Sequence, residues 1–120
     1  MSDEREMLEM AAKAAGIVYD GFDEGQGCDI WWLPDQSRYD RWNPLESDGD
    51  ALRLAVRLWI HIDFFEPTAV DGIQIGSVEC RRECDDDPID IVYFKTRHEA
   101  AEATRLAIVR AAAEIGMSMP

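Results

Sequence analysis

The strongest constraint on the fold is a change of hydrophobic period within residues 42–65, W-N-P-L-E-S-D-G-D-A-L-R-L-A-V-R-L-W-I-H-I-D-F-F. In the first part, Arg53 and Arg57 stand four residues apart, which places them on one side of a helix. The other side carries the predicted buried face, formed by Leu52, Ala55, Val56 and Leu58. From Trp59 to residue 65 the period is two, as on a pleated strand. The stretch therefore predicts a helix, capped by Ser47 or Asp48, that is followed directly by a strand.

The size and composition of the chain predict one cytoplasmic domain over residues 1–120. With 120 residues and 47% hydrophobic residues, the chain can bury one core without metals or disulfides. No run approaches the roughly 18 apolar residues of a membrane span, and the start M-S-D-E-R-E has the wrong charge for a signal peptide. Cys28, Cys80 and Cys84 are an odd number of cysteines, which favours free thiols in a reducing compartment.

Local signals place the other elements. A first helix over residues 3–15 should end at Gly16, and a last helix over residues 98–115, opened by a Thr96/Glu99 capping box, should end at Gly116. Strands are predicted over residues 17–22, 28–33, 60–65, 73–78 and 89–94. The segment 35–41 is ambiguous: its aromatic residues suggest a third short strand, which its charged residues would place at a sheet edge. Residues 66–72 and 80–88 are predicted to be loops.

Apolar side chains occur on both faces of the predicted strands. Ile91 and Tyr93 point to one face of a strand, and Val92 and Phe94 point to the other. The adjacent residues Trp31 and Trp32 likewise point to opposite faces. Because a solvated face would be polar, we expect both faces to be covered. The predicted fold is therefore α+β, a three-layer α/β/α sandwich with a mostly antiparallel sheet of about four to six strands and three helices.

The charge of the chain restricts its partners. The 25 acidic residues outnumber the 12 basic residues, so the formal net charge is −13. Nucleic acids and anionic membranes repel such a surface, and we expect direct binding to neither. Two explanations remain open: the acids confer solubility, or they stand where phosphates would and fit the basic groove of another protein.

Two groups of residues raise the question of a metal site. Cys80 and Cys84, with Cys28, His61 and His98 elsewhere, lack the second close ligand pair that structural zinc sites have. The acidic clusters Asp48-Gly49-Asp50 and Asp85-Asp86-Asp87 do not match the spacing of a calcium loop. Helix capping and solvation of a loop explain these clusters, so we expect no metal and no cofactor.

Two further features of the sequence could form sites. His61 and Asp63 share a strand face and could form an acid–base pair, but a strand histidine beside a carboxylate is more often structural. No motif of a hydrolase, nucleotide-binding or zinc-protease site is present, and we expect no enzyme. The four tryptophans Trp31, Trp32, Trp42 and Trp59 are expected in the core, although one that is exposed beside Asp29, Asp35 or Asp40 would suit an interface.

Three segments resemble a known group of proteins: residues 42–58, residues 103–116 (A-T-R-L-A-I-V-R-A-A-A-E-I-G) and residues 9–17 (E-M-A-A-K-A-A-G-I). They resemble small uncharacterised tailed-phage and prophage proteins related to the phage ABA sandwich domain. The resemblance implies a sandwich fold and a phage origin, and it supplies no activity and no catalytic residues. That family has glycine where Trp59 closes the central helix. Because tryptophan takes a left-handed cap only at a cost, this helix is expected to run into the strand or to end differently.

Charge and resemblance together favour a small, non-enzymatic phage protein that binds a host or defence protein in the bacterial cytoplasm. An anti-CRISPR or anti-restriction inhibitor that mimics nucleic acid is the most specific form of this hypothesis. The residues predicted to contact the basic partner are Asp85, Asp86, Asp87, Asp23, Glu24 and Asp35. The alternative is a phage housekeeping or structural module without inhibitory activity, which could act as a homodimer.

Overall fold

The structure, a computed structural model, describes residues 3–34, 36–70, 72–82 and 88–119. Within these residues the helices are α1 (Asp3–Ala15), α2 (Asp48–Leu58) and α3 (Ala100–Met117), and a short 3-10 helix (Arg97–Glu99) leads into α3. The strands are β1 (Val18–Asp23), β2 (Cys28–Leu33), β3 (Arg38–Asp40), β4 (Ile60–Val70), β5 (Ile73–Arg82) and β6 (Asp90–Phe94).

The strands form two separate three-stranded antiparallel sheets, ordered β1-β2-β3 and β4-β5-β6. The α+β class with three helices is confirmed, whereas the predicted single sheet inside a three-layer sandwich is not. Helix α1 contacts β1 and packs along α3, and α3 lies against the strands of the second sheet. The helices thus join two sheets, and each sheet keeps one face toward solvent. The prediction that both faces are covered was wrong, since Tyr39 and Tyr93 are exposed.

The two long helices approach each other closely at one glycine. Gly116 is buried inside α3, where an added Cβ would overlap the carbonyl oxygen of Met10 and lie 2.8 Å from its carbonyl carbon. The prediction that Gly116 ends the last helix was therefore wrong, because α3 continues to Met117. Gly16, by contrast, follows the end of α1 with a φ of 75°, as predicted.

Aromatic residues hold the first sheet to the core. Trp31 and Trp42 are buried with their ring centroids 5.2 Å apart, and Tyr19 meets Trp31 edge-on at 5.0 Å. On the other face of this sheet Trp32 packs against the exposed Tyr39 at 4.9 Å. The predicted third short strand is confirmed as β3, whose Tyr39 pairs with Trp32. Trp31 and Trp42 are thus core residues, as expected.

Helix α2 begins as its sequence predicts. The Ser47 hydroxyl accepts a hydrogen bond of 3.1 Å from the backbone N–H of Asp50, and the Asp50 carboxylate accepts one of 2.9 Å from the N–H of Asn43. Arg105 of α3 donates to the carbonyl of Leu45 at 2.9 Å and pairs with Asp48 at 2.6 Å. These acids therefore serve to start and anchor the helix.

The buried face of α2 differs from the predicted one. The helix buries Ala51, Leu54 and Ala55, whereas Leu52 and Val56 are exposed. Both sets satisfy a helical period and share Ala55, so periodicity alone does not select between them. The packing of α2 against α3 decides which of the two sets is buried. Leu52 and Val56 remain as an exposed apolar pair on the outer side of α2.

The end of α2 also differs from the prediction. Trp59 adopts the left-handed conformation, with φ 55° and ψ 43°, and its N–H bonds back to the carbonyls of Ala55 and Val56. Its side chain is 71% exposed, so little packing offsets the steric cost of that conformation. The helix therefore ends as a glycine-capped helix does, but with a residue that costs about 1–2 kcal/mol there.

We expect Trp59→Gly to stabilise the protein. Relief of the left-handed conformation gains about 1–2 kcal/mol, while the greater chain entropy of glycine costs about 0.5–1 kcal/mol, so the net gain is about 0.75 kcal/mol at the middle of both ranges. Urea denaturation measures it. Trp59→Ala is the control, since it removes the same side chain and keeps the strained backbone. If the glycine and alanine variants were equally stable, the left-handed backbone conformation of residue 59 would not be what lowers the stability of the protein.

Two predicted loops are partly strand. Strand β4 continues through residues 66–70 after a register shift between Phe65 and Thr68, and this shift accommodates Pro67. Strand β5 likewise continues through Cys80 to Arg82. At the start of α3, Glu99 accepts hydrogen bonds from the backbone N–H groups of Lys95 and Thr96, both at 3.0 Å, which lowers the pKa of Glu99.

Candidate functional site

The most distinctive surface is the face of the second sheet that points away from α3. Paired residues of an antiparallel sheet share a face, so the register places Phe65, Ser77 and Tyr93 in one cross-strand row. Ile73 and Ile75 continue the same face along β5. Tyr93 is 67% exposed, Ile73 55% and Phe65 49%. We call this surface, formed by Phe65, Ile73, Ile75 and Tyr93, the apolar platform.

The opposite face of the same sheet is buried against α3. Val78 and Cys80 are fully buried, and Phe94 is nearly so. Gly76 makes room for the Phe94 ring, since an added Cβ would lie 2.8 Å from Phe94 Cε2 and 2.9 Å from the Phe65 carbonyl oxygen. Burial of one face therefore determines the pairing register of β4, β5 and β6. In that register the side chains of the platform point to solvent.

The β4–β5 hairpin extends beyond the third strand. β6 pairs only with residues 76–80 of β5, whereas β4 pairs with β5 as far as Val70 and Ile73. Only residues 71 and 72 separate the two strands, and Gly72 has a φ of 81°. The end of the hairpin is thus a two-stranded ribbon, and its apolar side chains have fewer neighbours to cover them.

The outer face of the second sheet, which carries the apolar platform, is polar at its other end. Arg81 pairs with Asp63 and with Glu79, both at 3.0 Å, and His61 lies opposite Arg81 in the strand pairing. His61 and Asp63 do share a face, as predicted, but the Asp63 carboxylate already holds a guanidinium. The outer face therefore divides into an apolar platform and a charged end.

Of the residues predicted to bind a partner, Asp23 and Glu24 lie in the described part of the chain. The Asp23 carboxylate accepts hydrogen bonds from the N–H groups of Gly25 (2.8 Å) and Gln26 (3.3 Å), so it stabilises the β1–β2 turn. Glu24 is exposed on that turn. Asp35 and the triplet Asp85, Asp86 and Asp87 lie outside the described residues.

Acids are concentrated at one end of the chain, where residues 3–29 contain eight acidic and two basic residues. Arg5 of α1 connects the acids of the helix to those of the first sheet. Its guanidinium pairs with Glu9 at 3.3 Å and Asp29 at 3.5 Å and lies 4.5 Å from the centre of the Tyr19 ring. Arg5 thus joins one acid of α1, Glu9, to one acid of β2, Asp29.

The buried ionisable groups lie under the second sheet. Burial raises the pKa of the Cys80 thiol to about 12, with the charge of Asp90 adding to the effect. Burial also raises the pKa of the Asp90 carboxyl, which the Arg110 guanidinium 3.2 Å away partly opposes. Cys80 is therefore a protonated core residue on β5, not part of an exposed loop as predicted.

Some of the candidate metal ligands lie outside the described residues. Cys84 lies outside the described residues, and in the part of the chain that the structure describes no three His, Cys, Asp or Glu side chains are grouped as metal ligands would be. Asp48 and Asp50 are engaged by Arg105 and Arg53. No helix among the described residues is long and apolar enough to cross a membrane.

Sequence reasoning did not find the platform. It placed residues 66–72 in a loop, although Asp71-Gly72 between two apolar runs is a strong signal for a two-residue hairpin turn. With a turn at that point, the alternation along β5 places Ile73 and Ile75 on one face with Ser77 and Glu79. The exposure of that face still depends on where α3 packs.

Comparisons with protein-family models, with curated proteins and with solved structures find no match to this chain. The resemblance to tailed-phage proteins therefore stays a prediction. What the structure defines is an α+β domain of two antiparallel sheets with an exposed apolar platform on the second.

Proposed function

We propose that this chain is a non-enzymatic protein-interaction domain whose apolar platform docks on a basic partner protein. The observation that carries the proposal is the exposure of Phe65, Ile73, Ile75 and Tyr93 on one continuous sheet face. Exposed apolar surface that includes aromatic side chains is common at binding sites, where tyrosine is often an energetic anchor.

The net charge of −13 sets the chemistry of the partner. An approaching surface of the same sign is repelled, and a cationic one is attracted and steered. A protein with a basic groove, such as a nucleic-acid-binding protein of the host or of its defence systems, fits both the charge and the phage origin that the resemblance implies. Binding in that groove would inhibit the partner in the manner of an anti-CRISPR or anti-restriction protein.

Affinity capture from a bacterial host lysate, followed by competition, tests this function. We expect the captured protein to lose its binding to DNA or RNA as the chain is added, and the complex to weaken as salt is raised. In Phe65→Ser/Tyr93→Ser, the loss of two aromatic contacts should weaken the complex at least about 30-fold. Failure to capture any nucleic-acid-binding protein would contradict the proposal.

The control for this experiment comes from the first sheet. Phe22 and Tyr39 are each 60% exposed, so Phe22→Ser/Tyr39→Ser makes a matched change away from the platform. This variant should bind within about threefold of the original chain, a difference below 1 kcal/mol. Equal weakening by both double variants would mean that the platform is not the binding surface.

A structural or housekeeping module of the phage is the second candidate. The two-stranded end of the β4–β5 hairpin favours it, because projecting apolar ribbons suit assembly with other subunits. The two functions separate genetically. A phage that lacks the gene would show the same defect on hosts with and without defence systems if the role is structural, and only on hosts with them if the role is inhibitory.

A further inference from the structure

The second sheet has a free edge that suits pairing with another strand. β4 is the outermost strand of the order β4-β5-β6, and no described strand pairs with its other side. A strand at a sheet edge presents unpaired N–H and C=O groups, which pair readily with another strand. Its regular part is residues 60–65, because the register shift after Phe65 and Pro67 interrupt the strand beyond that point.

The other described edges are less suitable. β1 is broken by a register shift between Tyr19 and Gly21, and β3 contains only three residues. β6 contains five residues, one fewer than the regular part of β4, and its first residue, Asp90, is held by Arg110. The edge of β4 is therefore the longest regular one that the described residues offer.

We propose that two copies of this chain form a twofold dimer by antiparallel pairing of their β4 edges, centred on Ile62. Paired residues must share a face, so a symmetric pairing is centred on one residue. Centring on Ile62 places His61 of each copy opposite Asp63 of the other. Centring on Asp63 instead places two Asp63 carboxylates opposite each other, which is unfavourable. Of these two registers, the one centred on Ile62 avoids that repulsion and is therefore favoured.

The same register covers an exposed aromatic side chain. Phe64 is 61% exposed although it lies on the face that α3 covers elsewhere. Centring on Ile62 places Phe64 of each copy opposite Ile60 of the other, so two apolar pairs flank the central one. The dimer thus has a continuous six-stranded sheet, with both apolar platforms on one side of it.

The dimer goes beyond the proposed function, and the two differ in their response to salt. Each copy carries a net charge of −13, so the copies repel each other over a distance that salt shortens. Raised salt should therefore strengthen the dimer, whereas it should weaken a complex with a basic partner. Failure of one proposal is in this way distinguishable from failure of the other.

Analytical ultracentrifugation of the full chain over a range of protein and salt concentrations tests the dimer. We expect a dimer in 300 mM NaCl that dissociates on dilution and in 20 mM NaCl. His61→Asp places like charges opposite each other twice and should weaken the dimer about tenfold. The charge exchange His61→Asp/Asp63→His rebuilds both pairs and should return the dissociation constant to within about threefold of the original.

His61 and Asp63 are both exposed, so the variants at these positions should keep the fold. Circular dichroism verifies this. His98→Asp, the same change at an exposed histidine away from β4, is the control and should leave dimerisation unchanged. A chain that stays monomeric at all salt concentrations would overturn the proposal. A dimer that His61→Asp does not weaken, or that the charge exchange does not restore, would overturn the pairing centred on Ile62.

Discussion

Gly116→Ala should lower the free energy of unfolding by at least about 3 kcal/mol, and the melting temperature by about 10 °C or more. In most helices this change would gain about 1 kcal/mol from propensity. Here the new Cβ would overlap the carbonyl oxygen of Met10, an atom of the α1 backbone that no side-chain rotation can move. Helices α1 and α3 must separate to admit it, which opens the core between the two sheets.

Thermal and urea denaturation measure this effect, and a second helical glycine provides the control. At Gly49 near the start of α2, an added Cβ would meet only the flexible end of Arg53, at 3.4 Å. Gly49→Ala should therefore leave stability unchanged or raise it by up to about 1 kcal/mol. If both alanine variants were equally stable, the close crossing of α1 and α3 would not be a feature of the folded protein.

Gly76→Ala should destabilise the protein by about 2 kcal/mol, because the added methyl group overpacks the second sheet. Its Cβ would lie 2.8 Å from the Phe94 ring and 2.9 Å from the Phe65 carbonyl oxygen. The ring can move, but the carbonyl belongs to the strand next to the register shift. The change should therefore also displace the apolar platform and weaken partner binding.

Denaturation of Gly76→Ala alone and combined with Phe94→Leu separates the two contacts. The smaller side chain at residue 94 should restore part of the stability that the alanine loses, because it relieves the ring contact and leaves the backbone contact. Ser77→Ala, at the next position of the strand, should change stability by less than about 0.5 kcal/mol. A Gly76→Ala variant as stable as Ser77→Ala would contradict the observed packing of Phe94 over this glycine.

The elements of this fold were predictable where neighbouring residues decide them. Ser47 caps α2, and Gly16 follows α1, because a cap needs only a hydroxyl or a flexible residue at the right place beside a helical period. Trp59 shows the limit of such reasoning. Its side chain disfavours the left-handed conformation, yet Trp59 adopts it between the end of α2 and the start of β4.

The candidate site was less predictable than the fold. Of the six acids predicted to bind a partner, Asp23 stabilises a turn, and four lie outside the described residues. The platform contains none of them. Its members come from three strands, and nothing in a single stretch of sequence shows that Phe65, Ile75 and Tyr93 share one exposed face.

The sequence by itself determined the α+β class, the three helices, most strand positions and the negative net charge. These properties depend on local periodicity and on composition. Tertiary structure alone decided that the strands form two sheets, that Ala51 is buried and Leu52 exposed, and that Gly116 lies in a helix crossing. The physical reason is that the local sequence is compatible with burial of either of two faces of a helix or strand. Packing against an element distant in the sequence then decides which face is buried and which is exposed.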